Sequence, residues 1–287
     1  MKMCKSLSFH LSVLSLIISI QCTDAFAKSP APPANSTDVE ALTDTPQSNE
    51  NGSKKSSKNK RQPQRVTYAG KPQGEGEAIR LFILSGQSNM AGLDETTTML
   101  SAFEAAFPND ELVLVKDAQS GQPIRRWYKD WKPVGDWTPK NKRSEPGNND
   151  LYQRLMESVN STISSRTIHT ISFIWMQGEA DAKAQQSSNY EESLARLISQ
   201  LRTDLNRPDV TAVIGRISDH QLDDPHWLAI RQAQINVAEK DALVEWIDTD
   251  ELNGNENGLH YNRSGYDELG TRFAQKSIAL VQKSQHQ

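Results

Sequence analysis

The stretch "IRLFILSGQSNMAGL", residues 79–93, carries five apolar side chains in its first six positions and then turns polar at Ser85, Gly86, Gln87, Ser88 and Asn89. A short run that is apolar on both faces marks a strand buried in a parallel sheet. Four more runs share this character: "ELVLVK" (111–116), "TISFIWM" (170–176), "VTAVIGRI" (210–217) and "LVEWID" (243–248). Between and after them lie helical patterns, "LYQRLMESV", "YEESLARLISQLRTDL", "HWLAIRQAQINVAEK" and "YDELGTRFAQKSIALVQ". In the second, Leu194, Leu197, Ile198, Leu201 and Leu205 recur at three- and four-residue steps, as an amphipathic helix requires. This alternation predicts a three-layer α/β/α sandwich around a five-stranded parallel sheet, over residues 79–287. In such folds ligands bind beyond the carboxyl ends of the strands, so the polar knot at 85–89 is expected to face a crevice.

The rest of the chain reads differently. Lys2 and Lys5 precede the apolar run "LSVLSLIISI", and "AFA" at 25–27 has the small-x-small form of a signal-peptidase site. The run is too short to span a bilayer, so residues 1–27 are expected to be a cleaved export signal, with no stable membrane insertion afterwards. Gln21 precedes Cys22 where a lipoprotein signal needs a small residue, which argues against lipidation. Cys4 and Cys22 both lie in this leader, so the mature chain has no thiol nucleophile, disulfide or Cys-bound metal. Residues 28–78 are rich in Ser, Pro, Asn and Lys and read as a disordered, low-complexity tether. Lys54, Lys55, Lys58, Lys60, Arg61 and Arg65 form a basic run there, read as a solvated one. Residues 79–287 carry 22 Lys and Arg against 29 Asp and Glu, a formal −7, which disfavours nucleic acid as a partner.

Polar clusters end three of the expected strands. "GQSNMAG" follows the first, "QGEAD" follows "TISFIWM", and "GLHYNRSGY" follows "LVEWID". A serine hydroxyl needs a base to accept its proton, and histidine, with an ordinary pKa near 6.5, suits that task at neutral pH. Ser88 and His260 are such a pair, brought to one rim by the topology.

These motifs, in this order, resemble the SGNH-type carbohydrate acetylesterases, specifically the sialate O-acetylesterase and acetylxylan-esterase-like group. The resemblance implies a flavodoxin-like α/β/α fold, Ser88 as nucleophile, His260 as general base, and no metal or organic cofactor. It also implies an oxyanion hole made of the backbone N–H groups of Ser88 and Gly121 and the side-chain amide of Gln177, where many relatives use Asn. Gly121 fits the role because glycine lets a backbone approach closely. The family's usual Asp-x-x-His is here Asn257-x-x-His260, so the ring's partner lacks charge; Glu256 and Glu179 remain as alternative acids, Glu179 reading equally as a structural carboxylate.

Substrate contacts are expected from Gln87 and Asn89 beside the nucleophile. In "RRWYKDWKPVGDW" Arg125 is expected to meet a sugar carboxylate and Trp127 to stack on a sugar face, though core packing is as good a reading for Trp127. "SDHQLDDPHW" holds His220, Asp223, Asp224 and His226 in no defensible ligand spacing and reads as a rim loop. The expected function is therefore an exported serine esterase that deacetylates carbohydrate through an acyl-enzyme. A weakened sugar-binding relative and a general SGNH lipase or thioesterase are the alternatives.

Overall fold

The computed structural model describes residues 65–69, 78–138, 147–164 and 166–285. The expected signal peptide and residues 28–64 lie outside the described residues. In chain order the elements are β1 (Arg65–Ala69), β2 (Ile79–Gly86), α1 (Ser88–Gly92), α2 (Thr98–Ala106), β3 (Glu111–Ala118), α3 (Asp150–Ile163), β4 (Thr170–Met176), α4 (Glu179–Lys183), α5 (Tyr190–Asp204), β5 (Thr211–Gly215), α6 (Pro225–Glu239), β6 (Val244–Ile247) and α7 (Arg263–Ser284). All five strands expected from the sequence are present. Among the described residues no helix is long and apolar enough to cross a membrane.

The sheet runs β1-β3-β2-β4-β5-β6, so six strands replace the expected five. From β3 to β6 every pairing is parallel, while β1 lies antiparallel on β3 with Arg65 opposite Lys116 and Ala69 opposite Leu112. The folded domain therefore begins before residue 79, inside the stretch read as tether. An edge strand needs little apolar content, because backbone pairing on one side suffices. Here Arg65 Nε lies 3.2 Å from the fully buried Glu95, and Thr67 Oγ1 donates to the same carboxylate at 3.4 Å. Lys116, its own charge disfavoured by burial, pairs with Glu95 at 3.2 Å.

Alternate residues of β2 serve two cores. Leu81 and Ile83 pack with α3, α5 and α6 through Leu155, Leu194 and Ile230; Phe82 and Leu84 pack with α1, α2 and α7 through Met90, Phe103 and Phe273. Burial of both faces is what makes the strand read as continuously apolar. The chain runs from β2 to β3 on one side and from β3 back across to β4 on the other, so the topological switch point, where ligands bind in such sheets, lies at the carboxyl end of β2.

Candidate active site

Gly86 ends β2 at φ +140°, and a Cβ there would stand 2.0 Å from the carbonyl oxygen of Met176 at the end of β4. Only glycine lets the two strand ends come so close. The chain is then pinned on both sides: Gln87 N–H donates to Met176 O at 2.8 Å, and Gln119 N–H donates to Gly86 O at 3.0 Å. Gln87 stands at the N-cap position of α1 without a side-chain capping bond, and Ser88 is the helix's first residue, half-buried at the switch point. Neither the backbone N–H of Ser88 nor that of Gly121 has a partner among the described residues. Gly121 is exposed with φ +70°, and apart from its chain neighbours no atom of the described residues lies within 4 Å of where a Cβ would sit. Its glycine answers to backbone conformation, while the space beside it is open.

His260 is exposed on the loop between β6 and α7. That loop is moored at its start by Asp250, which accepts from Arg231 at 2.7 and 2.8 Å and from Arg216 at 2.7 Å. Burial opposes the Asp250 charge, but these guanidinium partners hold its carboxyl below the ordinary range. At its far end the loop is tied to α1, because Asn89 Nδ2 donates to Leu259 O at 3.1 Å. The residue after Ser88 thus holds the residue before His260.

Asn89 is saturated. Its second amide hydrogen goes to Glu179 Oε1 at 3.0 Å, and Tyr266 donates to its Oδ1 at 3.2 Å. With both hydrogens committed within the protein and the residue buried, Asn89 has none left to donate to a substrate and acts as a staple, unlike the substrate contact expected of it.

Asn257 is likewise not the partner of the imidazole. Its Oδ1 accepts from Asn253 at 2.6 Å, its Nδ2 donates to Asp219 O at 3.3 Å, and its carbonyl meets His220 Nδ1 at 2.6 Å. With φ +45° it shapes the turn, a conformation asparagine tolerates better than most residues. Glu256 is exposed. Glu179 is buried at the start of α4, one oxygen on Asn89 and the other without a hydrogen-bond partner among the described residues. Burial pushes its carboxyl up to about 7, against hydrogen bonds from its own backbone N–H and from Asn89 that lower it.

Gln177 is fully buried, and its Nε2 faces Asp181 Oδ2 at 2.5 Å, Gln122 O at 3.1 Å and Gln87 Oε1 at 3.3 Å. Two hydrogens among three protein acceptors leave none for an oxyanion, so the expected role of Gln177 does not hold. The amide that does remain is the neighbouring one. Gln87 Oε1 is fixed by Gln177 and by Ala180 N–H at 3.2 Å, while Gln87 Nε2 donates to no described residue and is not sealed from solvent.

Trp127 is buried in the core, edge-on to Trp175 at 5.2 Å between ring centroids, and shows no face to a sugar. Arg125 is buried too, 5.8 Å from the Trp137 ring, with burial and the adjacent Arg126 charge lowering its pKa. Neither is displayed as expected. In the rim loop Asp224 caps α6 by accepting from His226 N–H, and His226 Nδ1 lies 2.8 Å from Ser187 Oγ.

A family model described as carbohydrate esterase, sialic acid-specific acetylesterase, matches residues 97–279. The chain belongs to this family. The matched span includes Gly121, Glu179 and His260 and begins nine residues after Ser88. Among solved structures, an Arabidopsis thaliana protein is similar at TM-score 0.55 and 20% identity, covering 70% of this chain and 98% of its own. NanS follows at TM-score 0.54 and 13% identity, with 74% and 99% covered. A carbohydrate acetylesterase from Xanthomonas citri gives 0.54 and 14%, with 71% of this chain and 57% of that chain covered. These likenesses concern the fold. No curated protein sequence matches the chain. Membership makes the chain a carbohydrate acetylesterase, a carboxylic ester hydrolase.

One residue of this rim had no role in the sequence reading. Asp181 is fully buried two positions after Glu179; Oδ2 accepts from Ile124 N–H at 2.9 Å as well as from Gln177, and Oδ1 has no hydrogen-bond partner among the described residues. Burial raises its carboxyl to about 7, opposed by those two hydrogen bonds and by Arg125. The only sequence signal was its place in "QGEAD".

Proposed function

We propose that this esterase is exported and removes O-acetyl groups from carbohydrate through an acetyl-enzyme on Ser88. The observation that carries the reading is the Asn89–Leu259 hydrogen bond, which ties the nucleophile's helix to the base's loop across 170 positions of sequence. Ser88 Oγ attacks the acetyl carbonyl as His260 takes its proton; the tetrahedral oxyanion accepts from the N–H groups of Ser88 and Gly121 and from Gln87 Nε2. Collapse expels the sugar alkoxide, which His260 protonates. Water activated by the same imidazole then releases acetate and restores Ser88. Glu179 is the acid that supports the ring: of the three candidates it alone is bonded to Asn89, whereas Asn257 is committed to the loop and Glu256 is exposed.

Export rests on the leader sequence, and carbohydrate specificity on family membership. The test is acetate release from O-acetylated sialic acids, acetylated xylan and acetylated monosaccharides by the mature chain, with Ser88→Ala as control. Preference for a sugar acetate over long-chain acyl esters is expected; preference for long acyl chains would contradict it.

A further inference from the structure

We infer that Asp181 is the positioning residue of the oxyanion wall, holding the Gly121 loop and the Gln87 amide in one fixed arrangement. The inference rests on the esterase reading above and names a residue which that reading does not use.

Three segments form the wall and none is regular where it matters. Residues 119–123 are loop, residues 177–178 lie between β4 and α4, and Gln87 immediately precedes a five-residue helix that its side chain does not cap. Loops of this kind keep a site loose unless buried hydrogen bonds lock them. Asp181 Oδ2 supplies the lock at two points. Through Ile124 N–H (2.9 Å) it fixes the chain three residues after Gly121. Through Gln177 Nε2 (2.5 Å) it fixes an amide that also reaches Gln122 O (3.1 Å) and Gln87 Oε1 (3.3 Å). Gln122 follows Gly121, and Gln87 precedes Ser88. One carboxylate oxygen therefore connects the backbone just after one proposed donor, at residues 122 and 124, to the side chain of another. A buried carboxylate whose second oxygen has no hydrogen-bond partner is costly for stability alone, which points to a role in the site.

Asparagine at 181 still presents an acceptor to both N–H groups, whereas alanine presents none. Asp181→Ala is expected to lower kcat for acetate release about 100-fold, the scale of a lost oxyanion donor, with KM within about threefold. Asp181→Asn is expected to recover most of that loss. Amide exchange measured by NMR or mass spectrometry should be faster over residues 121–124 in the alanine variant and near wild type in the asparagine variant. Should Asp181→Ala not fold, Gln177→Ala cuts the same tie at its other end and should show the same fall in kcat. Wild-type kcat in the folded alanine variants, with Ser88→Ala inactive, overturns the inference and leaves the esterase reading intact. Unchanged exchange over 121–124 in Asp181→Ala overturns it too, and that readout needs no turnover. A wild-type protein that releases no acetate contradicts the esterase reading instead.

Discussion

Asn89 Nδ2 and Leu259 O meet at 3.1 Å, and that contact joins the helix that begins at Ser88 to the loop that carries His260. The bond's value lies in its neighbours: Ser88 precedes Asn89 and His260 follows Leu259. Asn89→Ala removes this donor and the one to Glu179 together. We expect kcat/KM to fall between about tenfold and 1,000-fold, because small misplacements of a catalytic group are costly, and stability to fall by about 1–3 kcal/mol from acceptors left unpaired. Urea melts and steady-state kinetics on the same preparation check both.

Glu179 links activity to pH. Its folded-state pKa of about 7 lies above the ordinary 4.5, so between these values the folded protein holds more protons than the unfolded chain and its stability falls as pH rises. Glu179→Gln removes this slope. The variant's melting temperature relative to wild type should climb from about pH 4.5 to pH 8, while its kcat drops at least about tenfold if the carboxylate supports His260. A melting difference that does not change with pH would show that the buried charge costs nothing.

Gln87 and Gln177 separate by chemistry as well as by position. Gln87→Glu keeps the shape and acceptor but replaces the free amide with a carboxylate beside the oxyanion; kcat should fall by about 100-fold or more with little change in the melt. Kinetics that match wild type would return the third donor to Gln177 or remove it.

The tether and β1 should part company on truncation. A mature chain beginning at Gln64 keeps Arg65 and Thr67 on Glu95 and should melt as the full mature chain does. One beginning at Gly70 loses the edge strand and one cation from a fully buried glutamate, and should lose about 1–4 kcal/mol in thermal or urea unfolding.

What the sequence disclosed follows from what each feature depends on. β2 through β5 were legible because burial on both faces writes an unbroken apolar run, as "RLFILS" does; β6, at the other edge, kept enough β-branched and aromatic character to read as a strand although Glu245 and Trp246 are only half-buried. β1 was hidden: an edge strand answers to backbone pairing, and "RVTYA" sits between polar flanks that set the composition of its window. Ser88, Gly121, Glu179 and His260 stand out in the sequence as motif residues, and Asn89 ties the helix of Ser88 both to Glu179 and to the loop of His260. The division of labour among the amides was illegible. Gln87 and Gln177 have the same side chain, and only the acceptors around each decide which one has a hydrogen to spare. Trp127 and Arg125 failed for a related reason, since stacking on a sugar and packing on Trp175 ask the same of an indole.

The central claim, an acetyl-enzyme on Ser88, is tested most directly by intact-protein mass spectrometry after rapid mixing with p-nitrophenyl acetate and acid quench. The account predicts one added acetyl group, mapped to the peptide containing Ser88, formed in the wild type, decaying as acetate appears, and absent from a folded Ser88→Ala variant. Acetate release at the wild-type rate by Ser88→Ala, or an acetyl group mapped to any other residue, would contradict it.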